Sequence, residues 1–301
     1  MPSVASEWQR SIDTSWSGNA TQAELIVDPA SGARFVHARF DGSAAPQITL
    51  VSGFETRNRT IDWAQPAPAT EDPAVLTAAL APSANKPLQG VVTQTAQKIT
   101  AGAGSDVEKV RAIYAWIVAN CYRNLDTPGC GLGDTVATLT SAGLGGKCAD
   151  LNGLFVALSR ASGVPARDLY GVRVAPSAFG YKQLGAGSAD ISKAQHCRAE
   201  VFLLDYGWVA MDPADVLKVM RAESETWIRD PADPLVAEVN RALLGNWEGN
   251  WVAYNSAEDV ALPGAGRRLP FLMYPQGVLG GARLNELDPK AFGYTITAQA
   301  L

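Results

Sequence analysis

The 301-residue chain reads as an α+β protein opened by a β subdomain. Three observations predict this. β-rich segments bounded by turn residues come first, two amphipathic helical stretches follow, and strands return after them; helices followed by antiparallel strands is the α+β order. The composition, 47% hydrophobic and 18% charged, supplies a large core without disulfide staples. Boundaries fall near residue 70 and residue 262. They leave an N-terminal β subdomain over 1–70, a central body over 71–262, and a C-terminal extension over 263–301 laid on the body.

The first strands are Ala23–Asp28, Ala33–Phe40 and Gln47–Val51, separated by Pro29–Gly32 and Asp41-Gly42. Between Ala64 and Pro87 the chain turns Pro/Ala-rich and reads as a linker wrapping over the next domain. Ser105-Asp106-Val107-Glu108 is a capping box, so a helix runs from there to about Asn120 with Val107, Val110, Tyr114, Ile117 and Val118 on its core face. A second helix spans Lys147 to Ser162 on Leu151, Leu154, Phe155 and Leu158, and stops at Gly163-Val164-Pro165. Strands follow at Leu169–Val174, His196–Leu203 and Gly207–Asp212. Residues 225–245 are helical after Pro234, and Phe271–Tyr274 and Tyr294–Thr297 are further strands or an extended tail.

Composition also excludes functions. Twenty-five Lys and Arg stand against thirty Asp and Glu, and no basic run exceeds Arg267-Arg268. A nucleic-acid footprint, which needs a concentrated basic face, is absent. No apolar run approaches the roughly 18 residues of a membrane span. Met1–Glu7 lacks the basic and apolar regions of a secretory signal, so the chain is cytoplasmic or its signal has been trimmed. Four cysteines without CxxC spacing are too few for a disulfide scaffold and lack paired metal-ligand spacing.

The chemistry points to Cys148. It sits in the first turn of the second predicted helix, where free backbone amides and the helix dipole favour a thiolate. It also lies on the stripe of Leu151 and Phe155, so its sulfur points at another element. Of the two histidines, His37 falls within a short alternating strand, as a core or surface residue, and His196 is the better base. With a three-residue loop after Leu203, Leu203 pairs with Gly207 and Asp212 stands opposite Arg198. His196 is then the diagonal neighbour of Asp212 on one face, about 7 to 8 Å away between backbones. A one-residue slip would separate them. Nucleophile, base and orienting carboxylate are what nucleophilic acyl transfer needs. No GxSxG, HExxH or phosphate loop supports a serine, metallo- or nucleotide enzyme.

Gly146-Lys-Cys-Ala-Asp-Leu-Asn-Gly-Leu-Phe-Val-Ala-Leu-Ser-Arg-Ala-Ser-Gly-Val-Pro-Ala-Arg167, then His196-Cys-Arg-Ala-Glu-Val, then Gly207-Trp-Val-Ala-Met-Asp-Pro213, resembles the bacterial transglutaminase-like superfamily over about residues 88–222. Gly129-Cys-Gly-Leu-Gly-Asp134 and Phe271-Leu-Met-Tyr-Pro275 look like one exported branch of it. The resemblance implies a papain-like α+β core with the triad Cys148, His196 and Asp212, no cofactor and no metal, and a periplasmic or secreted location. Where the family carries an aromatic residue two positions after its histidine, this chain has Arg198, which can compete for Asp212.

The implied activity is cysteine-dependent hydrolysis of amide bonds in a peptide, protein or small amide. The alternatives are transamidation and a non-catalytic binding module; the retained triad disfavours the second. One oxyanion donor is the Cys148 amide, and the other comes from upstream, with Tyr122 and Asn124 as candidates that read equally well as a core tyrosine and a helix-capping asparagine. The glycines of Gly129–Gly133 serve a turn or let backbone approach substrate. Trp247 and Trp251 read as rims of a cleft. Cys197 points away from the face of His196, so it is a poor nucleophile, and in an oxidising compartment it can pair with Cys130.

Overall fold

The computed structural model describes residues 1–42, 45–264 and 266–301. In chain order its elements are β1 (Gln9–Gly18), β2 (Gln22–Val27), β3 (Arg34–Arg39), β4 (Ile48–Thr56), α1 (Pro73–Leu80), α2 (Val91–Ile99), α3 (Asp106–Asn120), β5 (Tyr122–Arg123), α4 (Thr135–Thr140), β6 (Gly145–Gly146) and α5 (Cys148–Ala161). There follow β7 (Ala166–Arg173), β8 (Gln195–Leu203), β9 (Gly207–Met211), α6 (Pro213–Ala222), α7 (Pro234–Ala242), β10 (Leu244–Gly245), β11 (Trp251–Asn255), β12 (Glu258–Ala261), β13 (Arg268–Phe271), β14 (Val278–Leu279), β15 (Ala282–Arg283) and α8 (Pro289–Phe292). The class is α+β: helices pack on an antiparallel five-stranded sheet in the order β10-β9-β8-β7-β11.

Helix α5 is the centre of the body. Every residue from Cys148 to Arg160 is buried. Leu151, Leu154, Phe155 and Leu158 give it the expected apolar face, but Ala149, Gly153 and Ala157 let neighbours close in on its other sides, where α2, α3, α4 and α6 surround it. A helix enclosed on all sides holds its terminus rigidly, which is what a reactive group placed there requires. Its polar residues are met inside the protein: Arg160 donates to the carbonyls of Ala166 and Ala81 and pairs with Glu258.

The sheet sets the register of the site. Leu203 pairs with Gly207 and Ala199 with Met211, the pairing expected from the three-residue loop. Gly171 on β7 lies under Trp251, and a Cβ there would meet the Val252 carbonyl oxygen at 2.0 Å. Trp247 and Trp251 are 3% and 1% exposed and therefore rim no cleft. Their rings pack on Trp8, at 5.1 and 6.3 Å between centroids. This distant partner in the first ten residues is what local sequence could not disclose.

The expected strands over 23–51 appear as β2, β3 and β4. β1, which is rich in Ser, Thr and Asp, becomes a strand because it pairs with β4 along Gln9–Gly18. The Pro/Ala-rich stretch is only partly a linker. Ala67 and Ala69 donate to Asp205 and Leu204 carbonyls and drape it over the β8–β9 turn, but Asp72 and Pro73 then start α1. The division at 262 falls within the turn of the β12–β13 hairpin, where Glu258 pairs with Phe271. Tyr294–Thr297 is an extended tail joined to the 190–192 segment by an Ile191-to-Ile296 backbone bond of 2.8 Å.

Candidate active site

The loop before α5 is folded around Asp150. Its carboxylate accepts the amides of Lys147, Leu132 and Gly133 at 3.0, 3.0 and 2.9 Å. The Ala149 amide donates to the Cys130 carbonyl at 2.9 Å. Gly131, at φ 91°, is required here, since a Cβ would stand 1.9 Å from the Asp150 carboxylate. The glycine run thus clamps a loop to the helix start and delivers Cys130 to Cys148.

The candidate base, His196, is held on the sheet. His196 Nε2 lies 2.7 Å from Asp212 Oδ2 and 3.3 Å from Asp215 Oδ2. Asp212, wholly buried, begins α6, and its second oxygen accepts the Asp215 amide at 3.1 Å and the Asn152 carboxamide at 3.0 Å. Asn152 follows Cys148 by four residues on the same helical face, so it connects the helix of the thiol to the carboxylate. Arg173 grips Asp215 at 2.6 and 2.9 Å. Arg198 does approach Asp212, its Nε at 3.6 Å, but its terminal nitrogens go to the Glu248 carbonyl and Asn250. The imidazole therefore keeps the short contact.

Burial and the nearby Arg173 push the His196 pKa down, but Asp212 and Asp215 outweigh them and the net direction is up. These ion pairs stabilise the fold fully below the ordinary histidine pKa, and that contribution is lost as pH rises through the raised value. Asp215 is also buried, yet Arg173 and His196 hold its pKa well below the carboxylate range.

Around Cys148 the structure adds sulfur. The Sγ atoms of Cys130, Cys148 and Cys197 lie within 4.8 Å of one another, all buried. Met273 Sδ is 3.9 Å from Cys197 Sγ, and Cys130 Sγ faces the Gln195 carbonyl oxygen at 3.4 Å. All four cysteines are free thiols here, including Cys130 and Cys197, the two that can pair in an oxidising compartment. Hydrogen bonds from Cys148 and Cys197 hold the Cys130 thiol well below its ordinary pKa, whereas burial pushes Cys197 far up. Cys121, at the end of α3, is pushed up to about 12 by burial. Iodoacetamide near neutral pH is expected to label Cys148 before Cys121; equal labelling rates by peptide mass spectrometry would contradict an activated thiol.

Tyr122 and Asn124 stand beside the strand leading into Cys148, because Arg123 pairs with Gly146 and the Asn124 amide donates to the Gly146 carbonyl at 2.9 Å. The Tyr122 ring packs against Trp227 at 5.4 Å, and the Asn124 side-chain oxygen accepts the Asp126 amide at 3.0 Å. His37 is remote, on β3 near Glu24. Sequence reasoning missed Asn152, Arg173 and Asp215. Asn152 was signalled by its four-residue spacing from Cys148 and Asp215 by its place three residues after a helix-starting Asp. Arg173 carried no signal, since only the sheet brings it to Asp215.

Comparison with known proteins agrees with this architecture. The family profile of the Transglutaminase-like superfamily matches residues 93–213, which contain Cys148, His196 and Asp212. An uncharacterized protein of Haemophilus influenzae is 39% identical over 222 residues, 70% of this chain and 59% of that protein. The chain therefore spans less than two thirds of that relative. A crystal structure of a candidate cysteine protease from Cytophaga hutchinsonii superposes with a TM-score of 0.50 at 21% identity, covering 84% of this chain and 80% of that one. The periplasmic domain of TgpA from Pseudomonas aeruginosa superposes with a TM-score of 0.43 at 17% identity, over 72% of this chain and 75% of that one. Among the described residues no helix is long and apolar enough to cross a membrane. It is over residues 93–213, which carry Cys148 at a helix start, His196 on the sheet and Asp212 at the start of α6, that the chain is similar to the transglutaminase-like superfamily.

Proposed function

We propose that this protein hydrolyses amide bonds of peptide-like substrates through a thioester on Cys148. The observation that carries the reading is the buried 2.7 Å contact between His196 and Asp212, tied through Asn152 to the helix that bears the thiol. Asp212 occupies Nε2, so Nδ1 is the nitrogen left to exchange a proton with the thiol. Cys148 gives its proton to His196, and the resulting thiolate, paired with the imidazolium, attacks the carbonyl carbon. The oxyanion forms at the helix start, where the Cys148 amide has no intrahelical acceptor, with a second donor from 122–124. Collapse expels the amine, which takes the proton from His196. Water, deprotonated by His196, then attacks the thioester and releases carboxylate and free thiol.

Asp215 acts on this step through charge. Asp215→Asn removes one of two carboxylates that favour the imidazolium, so the alkaline limb of the kcat/KM profile is expected to move to lower pH. An unmoved limb would show that Asp215 only anchors Arg173.

Water is favoured over an amine as acceptor. Transamidation requires a second cleft that holds an amine and keeps water out. Trp247 and Trp251, the distant aromatics able to wall such a cleft, are buried on Trp8. The 180–195 segment beside His196 is rich in Gly, Ala and Ser. Mass spectrometry of enzyme with an amide library, seeking an acyl group on Cys148, tests the reading and identifies the substrate class. Adding excess primary amine then gives the product ratio, and a majority of amine adduct would reverse the choice of acceptor. We also propose that the protein works outside the cytoplasm; fractionation of cells that produce it tests this, and recovery in the cytoplasm alone would reject it.

A further inference from the structure

We propose that Cys130, Cys148 and Cys197 form a binding site for a monovalent copper ion, which occupies the nucleophile and holds the enzyme inactive. The inhibition rests on the cysteine-enzyme reading, whereas the binding does not. The three sulfurs come from three separate elements: the glycine loop, the start of α5 and strand β8. Ligand spacing along the chain, which reads against a metal, carries no information about such a convergence.

The geometry fits a three-coordinate thiophilic ion. Bonds of about 2.3 Å, as in metal thiolates, separate the sulfurs of a trigonal site by about 4.0 Å. The three Sγ atoms already lie within 4.8 Å of one another, so each moves inward by about half an ångström or less. Closing a disulfide demands more, since sulfur atoms must approach to about 2.05 Å. It also needs an oxidant.

The donor chemistry selects the ion. Soft thiolate and thioether ligands suit Cu(I), while carboxylates suit harder cations. Met273 supplies a thioether 3.9 Å from Cys197 Sγ. The nearby carboxylates are engaged elsewhere, Asp212 by His196 and Asn152, Asp215 by Arg173. Three thiols and one Cu(I) ion give a tris-thiolate complex of charge −2 and release three protons to solvent, with no electron transferred. Arg123, Lys147, Arg173 and Lys218, which interact electrostatically with the cluster sulfurs, offset that charge, as does the positive end of α5.

The test is anaerobic titration of the reduced full chain with Cu(I) against a bathocuproine competitor, read by sulfur-to-copper charge-transfer absorption. One ion per chain is expected. Cys130→Ser and Cys197→Ser are each expected to weaken binding by about 100-fold or more, Met273→Leu less, and Cys121→Ser not at all. X-ray absorption on the wild type, which needs no variant to fold, is expected to show three sulfurs at about 2.3 Å. Absence of binding, two sulfurs, or unchanged affinity in a folded Cys197→Ser would overturn the site. Equal affinity for Zn(II) would overturn the assignment to copper, and disulfide formed in place of the complex would reject it for an oxidative fate. Stoichiometric loss of amidase activity, restored by chelator, tests the inhibition; copper bound to a protein without amidase activity would leave the site standing and remove the proposed function.

Discussion

Cys148→Ser is expected to leave a folded protein whose amidase turnover falls by about 10⁴-fold or more, the scale seen when a nucleophile is removed from a triad that works as a unit. The hydroxyl is smaller than the thiol and far less acidic, so His196 can generate much less of the nucleophilic anion from it. The position is buried, and serine replaces cysteine atom for atom with only a smaller oxygen for sulfur, so the change opens little space. Kinetics on the amide found by the library screen, alongside a melting curve close to wild type, checks both halves. Turnover within tenfold of wild type would end the reading of Cys148 as nucleophile, and a collapsed melting curve would assign the residue a structural role as well.

Arg173→Met is expected to cost about 3–5 kcal/mol of stability, because it strands a buried carboxylate without its partner. Arg173 and Asp215 are both about 2% exposed in their side chains, and their paired oxygens and nitrogens lie at 2.6 and 2.9 Å. For a body of this size each kcal/mol is worth about 2–4 °C in melting temperature, so a drop of about 10 °C is the measurable sign. Removing both charges, as Arg173→Met with Asp215→Leu, is expected to recover much of the loss, since no lone charge remains. A single variant that melts within about 2 °C of wild type would show that water reaches Asp215 and screens it. The same substitution removes the cation that opposes protonation of His196, so any activity left is expected to persist to higher pH.

The two sites respond to different chemistry. The His196, Asp212 and Asp215 group sets one imidazole against two carboxylates, with Arg173 as counter-charge to Asp215. The sulfur group brings three thiols and a thioether together. The proposed hydrolysis uses one member of each, so a soft ion on the thiols is expected to stop the chemistry without disturbing the imidazole.

How much of this lay in the sequence is clear from particular residues. Helix α5 was legible because its apolar spacing and its Gly-Val-Pro stop are local, and the place of Cys148 in its first turn was legible because a helix start is itself a local signal. The contact between His196 and Asp212 was legible because one short hairpin fixes the register between them: counting from a three-residue loop put both on one face, and Leu203 pairs with Gly207 as counted. Strand β1 and helix α1 were not, since the first takes its form from pairing with β4 and the second hides in a Pro/Ala-rich run. Trp247 and Trp251 were misplaced because the ring that covers them is Trp8, more than two hundred residues away in the chain. The same reason applies to Arg173 on Asp215, to Cys130 beside Cys148 and to Met273 beside Cys197. Short-range patterning determined which residues stand on which element and face. Only packing of the sheet, the glycine loop and the C-terminal segment around α5 decided which charges and sulfurs meet, because those contacts follow from burial shared across distant segments and leave no period in the sequence.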